Sequence, residues 1–283
     1  MNNNIHPCIW YDGNAKAAAE FYCSLFPDSK ITTDTPMVVN FQLSGQKFMG
    51  LNGGPMFKTN PSISFMVICE SDEEIDELWK QLSGGGMVMM QLDKYPWSEK
   101  YGFVQDKFGL AWQIMKGKYS DVNQKITPTL LFVGGSYGKA EAAVKYYADV
   151  FPASSINGIL LYQENEGPQV AGKVKHSQFI LDGKVFMAMD GFGPHEFAFN
   201  EAISFVVECK DQKEIDYYWD TLTANGGKES MCGWLVDKFG VSWQIIPYNI
   251  GKLMSAPGKG QKVMEALMKM KKLDMAVMEK AAE

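Results

Sequence analysis

The chain has 283 residues, a net charge of -6 and 27 basic side chains, every one of them lysine. Without arginine there is no planar fork for bidentate capture of carboxylates, phosphates or base edges, and an acidic chain offers a nucleic acid no electrostatic footprint. Three histidines (His6, His176 and His195) leave little material for a histidine-rich metal centre.

At 46% hydrophobic and 21% charged, the composition is globular, and the length suits about two domains. No apolar run approaches the ~18–20 residues of a membrane span, so no membrane partner is expected. The opening MNNNIHPCIWYDGN lacks the basic and apolar regions of a signal peptide. Cys8, Cys23, Cys69, Cys209 and Cys232 are odd in number and show no CxxC spacing. Reduced thiols in a cytoplasmic protein are expected.

In chain order, Ile5 to Tyr11 reads as a strand and Asp12-Gly13-Asn14 as a turn. A helix follows, with Ala18, Phe21, Tyr22 and Leu25 on one face and Pro27 as its stop. Strands Met37 to Leu43 and Lys47 to Leu51 come next. A second unit opens with strand Ser62 to Cys69 and a helix that has Ser71 and Glu74 in capping positions. The apolar face of that helix is Ile75, Leu78, Trp79 and Leu82, and Gly84, Gly85 and Gly86 close it as C′ glycines. Strands are expected over Met87–Gln91, Gly102–Gln105 and Leu110–Met115. The polar stretch Lys116 to Lys125 reads as a linker.

Beyond the linker the pattern starts again. FYCSLFPDSKI is matched by YYADVFPASSI, SISFMVIC by AISFVVEC, EEIDELW by KEIDYYW, and DKFGLAWQI by DKFGVSWQI. The matches keep their order across some 120 residues, and their period is far longer than a solenoid repeat. The chain is therefore a duplicated domain, with strand, helix and three strands occurring twice per half. The expected domains are 1–118 and 124–250, with a tail at 256–283 that forms one helix from Gln261 to Ala281.

These motifs carry a family resemblance. Paired βαβββ units resemble the vicinal-oxygen-chelate superfamily of glyoxalases, extradiol dioxygenases and bleomycin resistance proteins. GNAKAAAEFYCSLFPDSKI, WSEKYGFVQDKFGLAWQIM, CGWLVDKFGVSWQIIP and the tail PGKGQKVMEALMKMKKLD resemble the PhnB-like branch, also labelled 3-demethylubiquinone-9 3-methyltransferase domain. The resemblance implies an α+β fold of two tandem glyoxalase-like domains, each curving its paired units around a cup. It also implies a metal with ligands on the first, fourth, fifth and eighth strands. By spacing those positions hold His6, Gly50, Ser62 and Gln113 in the first half, and Thr127, Ala188, Ala202 and Gln244 in the second. Only His6 is a strong ligand, so no metal site and no cofactor are expected.

Alternation along strands puts His6, Cys8, Trp10, Ser62, Ser64 and Gln113 into the first cup, and Thr127, Thr129, Leu131, Ser204 and Gln244 into the second. His176 and Gln178 share a strand face and join the candidates. His6 is the best candidate for a general base. Trp97, in a loop absent from the second half, is a candidate lid or dimer contact, and His195 reads as a surface loop residue. Trp79, Trp112, Trp219 and Trp243 read as core, and Asp106 and Asp237 as turn residues. The reading that follows is a small-molecule-binding protein. The alternatives are a metal-dependent lyase, isomerase or transferase, a methyltransferase, and a homodimeric scaffold with filled cups.

Overall fold

The computed structural model describes residues 5–166 and 170–283. The repeated pattern is present four times among the described residues. The first unit is β1 (Ile5–Tyr11), α1 (Ala15–Leu25), β2 (Lys30–Asp34), β3 (Val38–Leu43) and β4 (Gln46–Asn52). The second is β5 (Ile63–Cys69), α2 (Asp72–Ser83), β6 (Met87–Tyr95), β7 (Ser98–Gln105) and β8 (Ala111–Lys116). The third is β9 (Ile126–Phe132), α3 (Ala140–Val150), β10 (Ser155–Leu161), β11 (Val174–Leu181) and β12 (Lys184–Asp190). The fourth is β13 (Ile203–Cys209), α4 (Gln212–Thr223), β14 (Lys228–Glu229), β15 (Trp234–Val236) and β16 (Ser242–Pro247). None of the helices described is long and apolar enough to cross a membrane.

The helices follow their local signals. On α1 the apolar spacing buries Ala15, Ala18, Ala19 and Tyr22, and the chain turns extended at Phe26, before Pro27. At the start of α2, Ser71 Oγ accepts from the Glu74 N–H at 3.1 Å. The Glu74 carboxylate reaches back to the Glu70 N–H at 3.0 Å, one residue earlier than the standard box. Asp211 caps α4 in the same way, accepting from the Glu214 N–H at 3.0 Å.

The described residues form two compact units: residues 7–203, and residues 204–283 together with Ile5 and His6. In the larger unit, eight strands form one mixed sheet in the order β10-β11-β12-β9-β5-β8-β7-β6, and four more form the ladder β1-β4-β3-β2. The smaller unit holds the ladder β14-β15-β16-β13.

The eight-stranded sheet crosses the repeat. β5 pairs in parallel with β8 and, at its other edge, antiparallel with β9, the first strand of the second half. The expected grouping of cup residues by half is thereby corrected. Alternation assigns faces to a strand but not partners, and similar repeats offer chemically similar edges. Residues 117–125 join β8 to β9. Extended, such a segment reaches about 30 Å, ample for the ~10 Å across two strand spacings.

The helix-side face of this sheet is an aromatic layer. Trp112 on β8 lies 5.4 Å from Tyr22, 5.6 Å from Phe26 and 5.6 Å from Phe65 between ring centroids, so α1 packs there as core. Trp112 and Trp243 are buried, as expected of core residues. Asp106 organises the turn after β7. Its Oδ1 accepts from the N–H groups of Phe108 (2.8 Å) and Leu110 (3.0 Å), and its Oδ2 from Tyr22 Oη and Trp112 Nε1 at 2.8 Å each. Asp237 repeats the arrangement with Phe239, Val241 and Trp243.

The tail departs from the single expected helix. After a short α5 (Ile250–Met254) it comprises two helices, α6 (Gly260–Leu267) and α7 (Met275–Ala281). The interruption lets the carbonyls of Met270 and Lys271 accept from Cys232 and Gly233, and it buries Leu273 completely. A continuous helix would have committed those carbonyls to its own N–H groups.

Candidate functional site

Register sets which residues share the face of the eight-stranded sheet that is turned away from the helices. Met66 on β5 is paired with Gln113 on β8 and Thr127 on β9, and Ser64 with Ala111 and Thr129. Phe103 on β7 continues the first row, opposite Gln113. Met187 on β12 and then Gln178 on β11 continue the second row from Thr129. Of the expected site residues, Ser64, Gln113, Thr127, Gln178 and His176 thus share one surface.

A polar relay runs through this face. Tyr101 Oη donates to Gln113 Oε1 at 2.8 Å, and Gln113 Nε2 donates to Ser64 Oγ at 2.8 Å. Both ends of the Gln113 amide are therefore committed. Burial pushes the Tyr101 phenol well above its ordinary range, so it remains a donor at neutral pH. Around the relay lies an apolar cluster of Met66, Ile68, Tyr101, Val122, Val185 and Met187, with Met90, Phe103 and Met115 packed against it. None of these lining side chains is charged.

Other expected site residues lie elsewhere. Cys8 and Trp10 belong to the ladder β1-β4-β3-β2. The Trp10 indole donates to the Gly54 carbonyl at 2.7 Å and meets Phe57 edge-on at 5.1 Å, so the loop after β4 encloses it. Ser62 lies just before β5 and donates to the Ala198 carbonyl at 3.3 Å. In the smaller unit Gln244 Nε2 donates to Ser204 Oγ at 2.9 Å, and His6 is buried. Trp97 sits at the β6–β7 turn, 56% exposed. It stacks on Tyr95 at 5.1 Å and meets Tyr101 edge-on at 5.7 Å, which ties the turn to the relay.

Two positions taken from the superfamily's ligand pattern face the wrong way. A Cβ on Gly50 would lie 3.0 Å from Ala15 on α1, and Ala188 is paired with Leu130 on the helix side. The strands β5, β8, β9 and β12 instead offer the cup Ser64, Gln113, Thr127 and Met187. Those are neutral oxygens and a thioether, with the one amide already bonded at both ends. This donor set does not fit a divalent ion. Among the described residues, no group of three His, Cys, Asp or Glu side chains could hold a metal. In the loop after β9, the N–H groups of Gly138 and Ala140 point at Asp190 Oδ1, at 2.7 and 3.3 Å.

His176 is half-buried on β11, and burial lowers its pKa below the ordinary histidine value. The neutral form is favoured in the folded state, so its contribution is full above about pH 6.5 and is lost as pH falls below that. His176→Gln should flatten the fall in Tm between about pH 7 and about pH 5. An unchanged slope would show that His176 does not contribute to it.

Sequence reasoning missed Tyr101, because strand β7 begins at Ser98 and not at Gly102. Gly102 lies on the other face, where a Cβ would collide with the Trp79 ring at 2.4 Å. Val122 was missed because it lies in a stretch that reads as polar linker.

The fold and these motifs agree with comparisons to known proteins. A family model described as 3-demethylubiquinone-9 3-methyltransferase matches residues 3–115 and again 124–246. Among solved structures, the chain is 33% identical to a PhnB protein from Bacillus cereus over 39% of this chain and 96% of that one, with a TM-score of 0.37. Glyoxalase I from Zea mays is 13% identical over 86% of this chain and 92% of its own, with a TM-score of 0.54, which shows a shared fold. No curated protein matches. The chain belongs to the 3-demethylubiquinone-9 3-methyltransferase, or PhnB-like, family and carries it in two tandem copies.

Proposed function

We propose that this protein binds a small, neutral and mostly apolar molecule in the cup of the eight-stranded sheet, without a resident divalent metal. The observation that supports it is the uncharged lining. Adaptable methionines surround a single relay, Tyr101–Gln113–Ser64, and a ligand with one polar group suits that combination. The absence of arginine and the mismatch of the ligand positions point the same way. The buried Cys8, Cys69 and Cys209 thiols support a reducing compartment such as the cytoplasm.

Native mass spectrometry and metal analysis of chelator-free protein test this reading. A co-purifying neutral organic molecule, or binding of one from a metabolite extract at up to millimolar concentration, is expected, with far less than one metal per chain. A full equivalent of manganese, iron or zinc would overturn it in favour of a metal-dependent enzyme. Folded protein that binds no small molecule in that range would overturn it as well. Heat on titration with S-adenosylmethionine would instead favour a methyltransferase.

A further inference from the structure

The segment between β8 and β9 does more than connect them. Tyr119, Ser120, Asp121 and Asn123 are exposed, yet Val122 between them is 6% exposed and belongs to the apolar cluster of the cup. Polar bonds hold the segment down on either side of Val122. Gln178 Nε2 donates to the Asp121 carbonyl at 3.3 Å. Gln124 brackets Val185, donating to its carbonyl at 2.8 Å and accepting from its N–H at 3.0 Å. Asn123 takes a positive φ of 58°, the local turn that directs the valine inward.

Opposite Met66, which packs in the same cluster as Val122, is a polar group without a partner. Thr127 is completely buried, shares the face turned away from the helices with Thr129 and Met66, and its Oγ1 makes no hydrogen bond. A buried hydroxyl without a partner destabilises the fold, because it gives up its bonds to water and gains none. A native core seldom keeps such a group unless something meets it.

We propose that residues 117–125 form a displaceable strap. Val122 is the built-in occupant of the cup, and a neutral ligand enters by lifting it and presenting its own hydroxyl or carbonyl to Thr127. The inference rests on the small-molecule reading above and adds its gate and its polar anchor. It predicts a ligand with a compact apolar body and one hydrogen-bonding group.

Two probes of one shape test this on the full chain: p-cresol, which carries a hydroxyl, and p-xylene, which carries a methyl in its place. Val122→Gly is expected to bind p-cresol at least about tenfold more tightly than the parent, since the occupant is gone. Adding Thr127→Val should erase about tenfold of the preference for p-cresol over p-xylene. In the parent, saturating p-cresol should speed amide exchange over 117–125 and leave β5 and β9 protected. Without probe, Thr127→Val should keep or raise Tm, because an isosteric swap removes an unmatched hydroxyl.

Equal p-cresol affinity in the parent and Val122→Gly, or unchanged strap exchange at saturation, overturns the gate. A Tm drop beyond about 5 °C in Thr127→Val makes that hydroxyl structural and overturns the anchor. If Val122→Gly does not fold, Val122→Ala and the exchange measurement on the parent decide. A co-purified ligand over an unmoved strap defeats this inference alone. Tight p-cresol binding by Val122→Gly, in a protein whose parent binds nothing, defeats the functional reading and with it the gate, leaving Val122 a fixed filler of the core.

Discussion

Asp106→Ala is expected to lower stability by about 4 kcal/mol, measured by urea denaturation, because it strands four donors at once. The carboxylate satisfies two backbone N–H groups of its own turn, the Tyr22 hydroxyl on α1 and the Trp112 indole on β8. Alanine replaces none of these acceptors, and Trp112 is completely buried, so water cannot substitute. Burial pushes the Asp106 pKa up while the hydrogen bonds from Trp112 and Tyr22 pull it down, the bonds offsetting part of the penalty of a buried carboxylate. Asp106→Asn separates these contributions. Its remaining oxygen can still serve the turn, but its amide nitrogen would confront the Trp112 N–H. A loss of about 2 kcal/mol is expected, between parent and alanine. A loss under about 1 kcal/mol for Asp106→Ala would show that the turn and the aromatic layer stand without it.

Gly86→Ala is the second large effect, about 3 kcal/mol, and its cause is collision and not conformation. A Cβ at Gly86 would lie 2.3 Å from the Gln105 carbonyl oxygen and 3.1 Å from that of Leu82. Both are backbone atoms fixed by a strand and a helix, so neither can step aside cheaply. Gly227 repeats the situation in the smaller unit, with the Leu222 oxygen at 2.5 Å. Gly85, by contrast, has a positive φ of 76° and only Lys107 Cβ nearby, at 3.6 Å. Gly85→Ala should cost about 1 kcal/mol, the ordinary left-handed penalty. If Gly85→Ala proved the more damaging, the steric account of Gly86 would be wrong. Denaturation midpoints of the two variants decide between them.

The glycine triplet also marks how far sequence carries. Three glycines after a helix announce its end, and that much is legible. Which one is needed for φ and which for clearance depends on Gln105, a distant residue brought alongside by the β7 strand. The same division runs through the fold. Four strand–helix–three-strand units follow from periodicity and repetition, since amphipathic faces are local. The partner of β5 does not, because both candidate edges look alike. Cup residues were consequently legible by face, as with Ser64 and Gln113, but misassigned by neighbour, as with Cys8 and Trp10. Gly50 and Ala188 were off by one residue, which on a strand means the opposite face. The tail broke where the carbonyls of Met270 and Lys271 found external partners, a tertiary preference invisible in its helical spacing.

The cross-repeat pairing of β5 with β9 bears on ancestry. A single-copy precursor with only the first half would have lacked β9, leaving β5 the first strand of its own chain or of another identical chain as its complement. Duplication and fusion turn such an encounter between molecules into one within a molecule. The short tether sets an effective concentration in the millimolar range, so the pairing no longer depends on how much protein is present. The two copies are then free to diverge, because each edge need fit only one partner. The replacement of His6 by Thr127 at corresponding places is a divergence of this kind.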